Sequence, residues 1–131
     1  CVDRDLLLRN LGGDTELAAT AIAALVEAAA KVGPSGKRAS YASYARASFV
    51  LAEKGDAVPR TLAAAFVEPV GSKRGTNDLL GASIAALRST RAAFKAAYGD
   101  DGVRELEMDA SGRIESAMNA LDDLVRFSRE P

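Results

Sequence analysis

Residues 14–42 read DTELAATAIAALVEAAAKVGPSGKRASYA, and this stretch contains the clearest structural signals in the chain. Asp14 suits an N-cap, and apolar residues follow it at helical spacing. Gly33 can end a helix in the left-handed conformation, and Pro34 prevents continuation. The pattern therefore predicts a helix from Asp14 to about Lys31, followed by a tight turn. The apolar stripe expected to face the core is Leu17, Ala21, Ile22, Leu25 and Val26.

The turn after this helix contains two adjacent cations, Lys37 and Arg38, and Arg46 follows after the interleaved Tyr41 and Tyr44. A preset turn with exposed N–H groups and positive charge can hold phosphates, and aromatic rings can stack on unpaired bases. The same residues also suit a solvated turn whose tyrosines pack against a sheet. From the residues alone, both interpretations stay open.

Turn signals divide the rest of the chain into short elements. Residues before the Leu11-Gly12-Gly13-Asp14 turn look like the end of a strand, so this turn is expected to join a strand to a helix. The order of helices and single strands predicts an α+β fold whose helices pack on a small, incomplete sheet. The expected strands are residues 48–52 and 103–108, with Leu106 and Met108 on one face. The expected helices start at Pro59, at Thr76 or Asn77 (ending at Tyr98), and at about Ile114 (ending at Val125).

Composition limits the class of protein and the kind of site. The chain has 131 residues, suited to one domain, and its aromatic content of 5% leaves the core to Ala, Leu, Val and Ile. The net charge of −1 provides no global attraction to nucleic acid, so any polyanion site must be local. The start at Cys1 and the incomplete sheet predict a single domain or fragment, residues 1–131, cut from a longer protein.

The chain lacks the residues of the common catalytic centres. There is no histidine and one cysteine, Cys1, so triads that need histidine are impossible. The adjacent acids at 100–101 and 122–123 are expected to be solvated charges, and Asp14 an ordinary helix cap. We therefore expect no enzyme activity, no catalytic residue, no metal site and no cofactor. No apolar run could span a bilayer, and the single cysteine indicates a reducing cytoplasm.

Two further groups of cations are weaker candidates for a polyanion site. Lys73 and Arg74 lie in a Gly/Ser-rich stretch, which is typical of a surface loop. The second group, on the long helix, is Arg88, Arg91 and Lys95, whose spacing of i, i+3 and i+7 is typical of a solvated helix face.

Four segments in order resemble the C-terminal half of the CasC family, the type I-E CRISPR-associated backbone subunits of the Cascade surveillance complex. They are Asn10-Leu-Gly-Gly-Asp14, the turn PSGKRASYA at 34–42, the strand FVL at 49–51, and AAFVEPV at 64–70. The Pro-small-Gly-Lys turn and the Ala-Phe-x-x-Pro-Val segment are the most specific parts. The resemblance covers about the first seventy residues.

The resemblance implies a modified RRM-like (ferredoxin-like) fold and a non-catalytic role in bacterial antiviral defence. Copies of such a subunit line up along one CRISPR RNA and grip its backbone, while a separate helicase-nuclease cuts. The implied partners are CRISPR RNA, neighbouring copies, other Cascade subunits and, indirectly, target DNA. The implied RNA-binding residues are Lys37, which matches the family's turn lysine, and its neighbours Arg38 and Ser40.

The sequence departs from the family in two places. Relatives often have a polar Asn where Ala45 and Arg46 stand, so a side-chain hydrogen bond is missing and Arg46 is expected to add a phosphate contact instead. The family's N-terminal half is also absent, so we expect this chain alone to bind RNA weakly or not at all. The alternative is an Ala-rich helical protein-interaction module without nucleic acid binding.

Overall fold

The computed structural model describes residues 1–33, 45–56, 58–71, 78–99, 102–114 and 120–131. The architecture is α+β, rich in helix, with a small two-stranded antiparallel sheet, which confirms the predicted fold class. The elements in the described residues are α1 (Arg4–Asn10), α2 (Thr15–Lys31), β1 (Phe49–Lys54), a 3-10 helix (Ala63–Phe66), α3 (Leu79–Tyr98), β2 (Arg104–Asp109) and α4 (Leu121–Arg129). They form two compact units: unit 1 is Cys1–Lys54 with Glu105–Pro131, and unit 2 is Gly55–Arg104.

The chain begins with a helix, and the predicted strand end is wrong. Asp3 caps α1 because its carboxylate accepts a hydrogen bond from the Leu6 amide at 2.8 Å. Asp5 in the first turn and Arg9 in the last turn complement the helix dipole. A short apolar run fits a strand and a helix equally well, and here the cap decides. The 11–14 turn therefore joins two helices, with φ of 65° at Gly12.

Helix α2 has the predicted bounds, but it buries its alanines most deeply, and of the predicted stripe only Ile22 and Val26 are half-buried. The Asp14 carboxylate accepts a hydrogen bond from the Leu17 amide at 2.9 Å, as expected of an N-cap. Leu17 and Leu25 are 49% and 54% exposed, although the sequence predicted them in the core. Instead α2 packs its small residues against α4, where Leu124 is fully buried. The buried small residues of α2 are Ala18, Ala19, Ala23 and Ala30.

The sheet of unit 1 confirms both predicted strands. The Ala110 amide donates to the Ser48 carbonyl at 2.8 Å, just past the strand ends, so Val50 lies opposite Met108. Met108 is 7% exposed and Leu106 is half-buried, on the face that the alternation predicted to be apolar. Helix α4 begins at Leu121 and Ile114 is not helical, while residues 115–119 of the predicted final helix lie outside the described residues.

Unit 2 consists of α3 and the 3-10 helix that contacts it. The helix predicted after Pro59 is only this single turn, in which Phe66 is 47% exposed, and Val67 after it is 80% exposed. Helix α3 is capped by Asp78, whose carboxylate accepts from the Gly81 amide at 3.0 Å. It ends at Gly99 with φ of 89°, as predicted. Among the described residues, no helix is long and apolar enough to cross a membrane.

Candidate nucleic-acid interface

Of the four predicted RNA-binding residues, the structure describes one, Arg46. Lys37, Arg38 and Ser40 lie outside the described residues, as do the weaker candidates Lys73 and Arg74. Arg46 is described and exposed. The described residues form no hydrogen bond or ion pair with Arg46, so its guanidinium is accessible with respect to that part of the chain.

A backbone hydrogen bond joins the two ends of the segment that contains the basic turn. The Ala47 amide donates to the Ala30 carbonyl, in the last turn of α2, at 2.9 Å. Strand β1 begins two residues later, at Phe49. The two ends of the chain from Lys31 to Arg46, here called the 31–46 segment, therefore lie close together. The sequence placed the turn between a helix and a strand but gave no sign of this closure.

A second exposed cation lies at the other end of the 31–46 segment. Lys31 is the residue after Ala30, at the carboxyl end of α2, and its Nζ lies 2.5 Å from Glu27 Oε1. The side chains of Lys31 and Glu27 are 45% and 48% exposed, so the pair is a surface ion pair. Lys31 and Arg46 thus flank the Ala30–Ala47 bond, one on each arm of the segment. Sequence analysis treated Lys31 only as a helix-end residue.

Other cations of unit 1 hold the carboxyl end of α4. Lys54 Nζ donates to the Phe127 carbonyl, lies 3.5 Å from Glu130 Oε2, and sits 4.1 Å from the centroid of the Phe127 ring. Arg4 donates to the Glu130 carbonyl at 2.5 Å. A cation at a helix carboxyl end is favoured by the dipole and by the unpaired carbonyls there. These cations are therefore structural, and sequence analysis did not find them.

The cations of α3 also have partners. Arg88 and Arg91 are half-buried and Lys95 is exposed. Each of the three takes part in an interaction within the chain. Their regular spacing along α3 is consistent with a helix surface, and nothing in unit 2 singles them out as a polyanion site.

Several described aspartates serve turns and caps. Asp123 accepts from the Ala120 amide at 3.1 Å and pairs with Arg126 at 3.0 Å, which is the role of a residue in a first helical turn. Asp122 is exposed, and Asp100 and Asp101 lie outside the described residues. Within the described ranges, no group of three or more acidic or cysteine side chains could hold a metal ion.

Asp109 is the one buried acidic residue among those described, at 8% exposure. Its carboxylate accepts hydrogen bonds from the amide and hydroxyl of Ser111 and from the amides of Arg113 and Ile114. The hydrogen bond from the Ser111 hydroxyl is the largest cause that lowers the pKa of Asp109. Burial opposes this shift, and the backbone amides reinforce it. The Asp109-Ala-Ser-Gly112 turn was predicted, but its buried carboxylate was not.

Comparison with known protein families decides the affiliation of the chain. The family model described as CT1975-like protein, a CRISPR-associated (Cas) model, matches residues 1–126. The chain belongs to this family. No curated protein matches it. The CRISPR association inferred from the first seventy residues is therefore confirmed.

The family model matches more of the chain than the four segments that carried the resemblance. The match continues through unit 2 and most of α4. The 31–46 segment and both residues that flank its base lie inside the match. The bond between Ala30 and Ala47 therefore lies in the part of the chain that the family model matches.

Proposed function

We propose that this chain is a non-catalytic CRISPR RNA-binding backbone subunit of a Cascade-type surveillance complex, of the CasC type. The observation that supports this best is the backbone bond between Ala30 and Ala47. It fixes both ends of a cation-containing segment at one point of unit 1. Membership of a CRISPR-associated family makes RNA the most plausible polyanion for such a segment.

The proposed mechanism is neutralisation of RNA phosphates by a locally basic segment. Lys37 and Arg38 lie within the 31–46 segment, with Arg46 at its end. Cations that contact phosphates release counterions, and this supplies affinity without reading the sequence. Backbone N–H groups and the Ser40 hydroxyl can add hydrogen bonds to phosphate oxygens. Binding of this kind suits a guide RNA, because base pairing must remain available for the target.

Neighbouring copies of the subunit are the proposed protein partners, together with other subunits of the complex. Leu17 and Leu25 of α2 are exposed, and so is Val32, which follows the helix and is 71% exposed. Leu17 and Leu25 are eight residues apart, so they lie near one line along the helix surface. An apolar face of this kind supports contact with another protein. Target DNA is a proposed partner only through its pairing with the guide.

The role is proposed to be binding without catalysis. Asp109 and Asp123 are used in a turn and a cap. The sequence contains no histidine for proton transfer. These facts support a scaffold role, in which cleavage is the work of a separate protein.

The second candidate function is a helical protein-interaction module without nucleic acid. The exposed apolar face of α2 favours it, as does the structural use of Lys54 and Arg4. The two functions differ in what copurifies with the protein. The test is to produce the intact gene product together with a CRISPR RNA and to quantify the RNA that copurifies.

RNA in stoichiometric amount, lost on combined substitution of Lys37→Ala and Arg38→Ala, is the result that the RNA-binding proposal expects. The matched control is Arg126→Gln, which removes one exposed cation of unit 1 that belongs to α4 and not to the 31–46 segment. Absence of RNA from the unsubstituted protein, with retention of protein partners, would favour the interaction module.

A further inference from the structure

We propose that Lys31 is a further RNA-backbone contact, located at the base of the 31–46 segment and paired with Glu27 until a phosphate replaces that carboxylate. This inference rests on the proposed function. It assigns to the same binding surface a residue that neither the sequence analysis nor the family resemblance indicated.

The first argument is the position of Lys31 beside Arg46. The Ala47 amide and the Ala30 carbonyl are 2.9 Å apart, and Lys31 and Arg46 are the residues next to that bond along the chain. This limits the separation of their Cα atoms to about 13 Å. Both side chains are exposed and long, so their cations can contact phosphates of the same RNA strand.

The second argument is the nature of the present partner of Lys31. Glu27 lies one helical turn earlier, in the orientation that favours an i, i+4 ion pair. Both side chains are about half exposed, so water and salt screen the attraction. A backbone phosphate carries the same single negative charge as a carboxylate and accepts charge-assisted hydrogen bonds in the same way, so it can replace Glu27 as the partner of Lys31. Lys31 has three N–H donors, so it can turn towards a phosphate at little cost.

The third argument is the contrast with Lys54. Lys54 is also a lysine of unit 1, but it contacts two backbone carbonyls, a carboxylate and an aromatic ring, and its side chain is only 20% exposed. Moving Lys54 to a phosphate would break all of these contacts. Within the described part of the chain, the polar contact of Lys31 is its exposed ion pair with Glu27, so Lys31 is the lysine that a ligand can recruit.

The ligand of this surface is a single-stranded RNA backbone rather than a small anion. Lys31 and Arg46 are the first and last residues of the segment, and both are exposed. Two exposed cations at such a spacing suit successive charges along a strand. Inorganic phosphate should therefore compete only weakly with RNA.

The test measures RNA affinity of the intact gene product as a function of salt for Lys31→Gln, Glu27→Gln and Arg126→Gln. Lys31→Gln should lower affinity by about threefold to tenfold and reduce the slope of log affinity against log salt by about 0.7, the value for one phosphate contact on a single strand. Glu27→Gln should raise affinity by about twofold, because Lys31 is released. Lys31→Arg should restore most of the affinity.

Arg126→Gln is the matched control, since it also removes the cation of an exposed intrahelical pair, with Asp123 at 3.0 Å. Arg126 is one turn before Arg129, which pairs with Glu16 at the opposite end of α2 from Lys31. This variant should leave affinity and slope unchanged.

The outcomes separate the two proposals. If Lys37→Ala weakens RNA binding and Lys31→Gln does not, the role of Lys31 is wrong while the proposed function stands. If neither change alters the salt slope, both are wrong. An equal loss with Arg126→Gln would show a general charge effect and would also contradict the role of Lys31.

Discussion

Ala30 and Ala47 are joined by a backbone hydrogen bond of 2.9 Å, although the whole 31–46 segment lies between them. The bond connects the last turn of α2 to the chain just before β1. It therefore anchors the segment at the place where the helix layer of unit 1 passes to its sheet. RNA binding by the segment is proposed to depend on this anchor.

Removing the donor of this bond should loosen the segment. Ala47→Pro has no amide hydrogen, so the free energy of unfolding should fall by about 1 kcal/mol, measured by urea denaturation. RNA affinity should fall too, because the cations are less well positioned. Ala47→Gly keeps the amide and is the control. Equal RNA affinity of Ala47→Pro and the unsubstituted protein would show that RNA binding does not depend on this bond.

Lys54 should contribute to the stability of the fold and not to RNA binding. Lys54→Met keeps the aliphatic chain but loses the charge over the Phe127 ring and the hydrogen bonds to α4. The expected loss of stability is about 2 kcal/mol, from the cation–π contact and the charged hydrogen bonds. The RNA salt slope should not change. A smaller slope would mean that Lys54 contacts RNA after all.

The packing of α2 on α4 should depend on Leu124 rather than on the leucines of α2. Leu124→Ala removes a fully buried side chain and should cost about 2–5 kcal/mol in chemical denaturation. Leu25→Ala, at a position 54% exposed, should change the free energy of unfolding by less than about 1 kcal/mol. The reverse order would show that the core lies on the other face of α2.

The Asp109 turn should make stability depend on pH in the acid range. Because hydrogen bonds lower the pKa of Asp109 below its ordinary value of 3.8, folding favours the ionised carboxylate. Its stabilising effect should be fully present above about pH 4 and should disappear as the pH falls through the lowered pKa. Asp109→Asn should therefore be less stable than the unsubstituted protein at pH 7, and the difference should shrink in acid. A difference independent of pH would contradict this role of the charge.

The parts of the fold with several agreeing local signals could be predicted from the sequence. Helix α2 has a cap at Asp14 and a Gly33-Pro34 stop, and its bounds were correct. Helix α1 was missed because three successive leucines look alike in a strand and a helix. The buried face of α2 was missed because leucines outweigh alanines in a periodicity argument. Close packing against α4 decides that face, and α4 is distant in sequence.

The candidate site could be predicted only in part for a similar reason. Lys37 and Arg38 stand out locally, as adjacent cations in a Gly-Pro turn. The Ala30–Ala47 hydrogen bond joins backbone atoms, so no side chain in the sequence indicates it. Lys31 is close to Arg46 only because of that bond, so the sequence around Lys31 does not indicate a role in binding. The role of Lys54 depends on a carbonyl 73 residues away, which no local pattern reveals.

The central claim is that Lys37 contacts the phosphate backbone of CRISPR RNA. The most direct test is the salt dependence of RNA affinity for the intact gene product with Lys37→Ala, beside Arg126→Gln as control. The account expects Lys37→Ala to weaken binding to RNAs of different sequence by similar factors. It also expects the slope of log affinity against log salt to fall by about 0.7. Unchanged affinity and slope in Lys37→Ala would contradict the account.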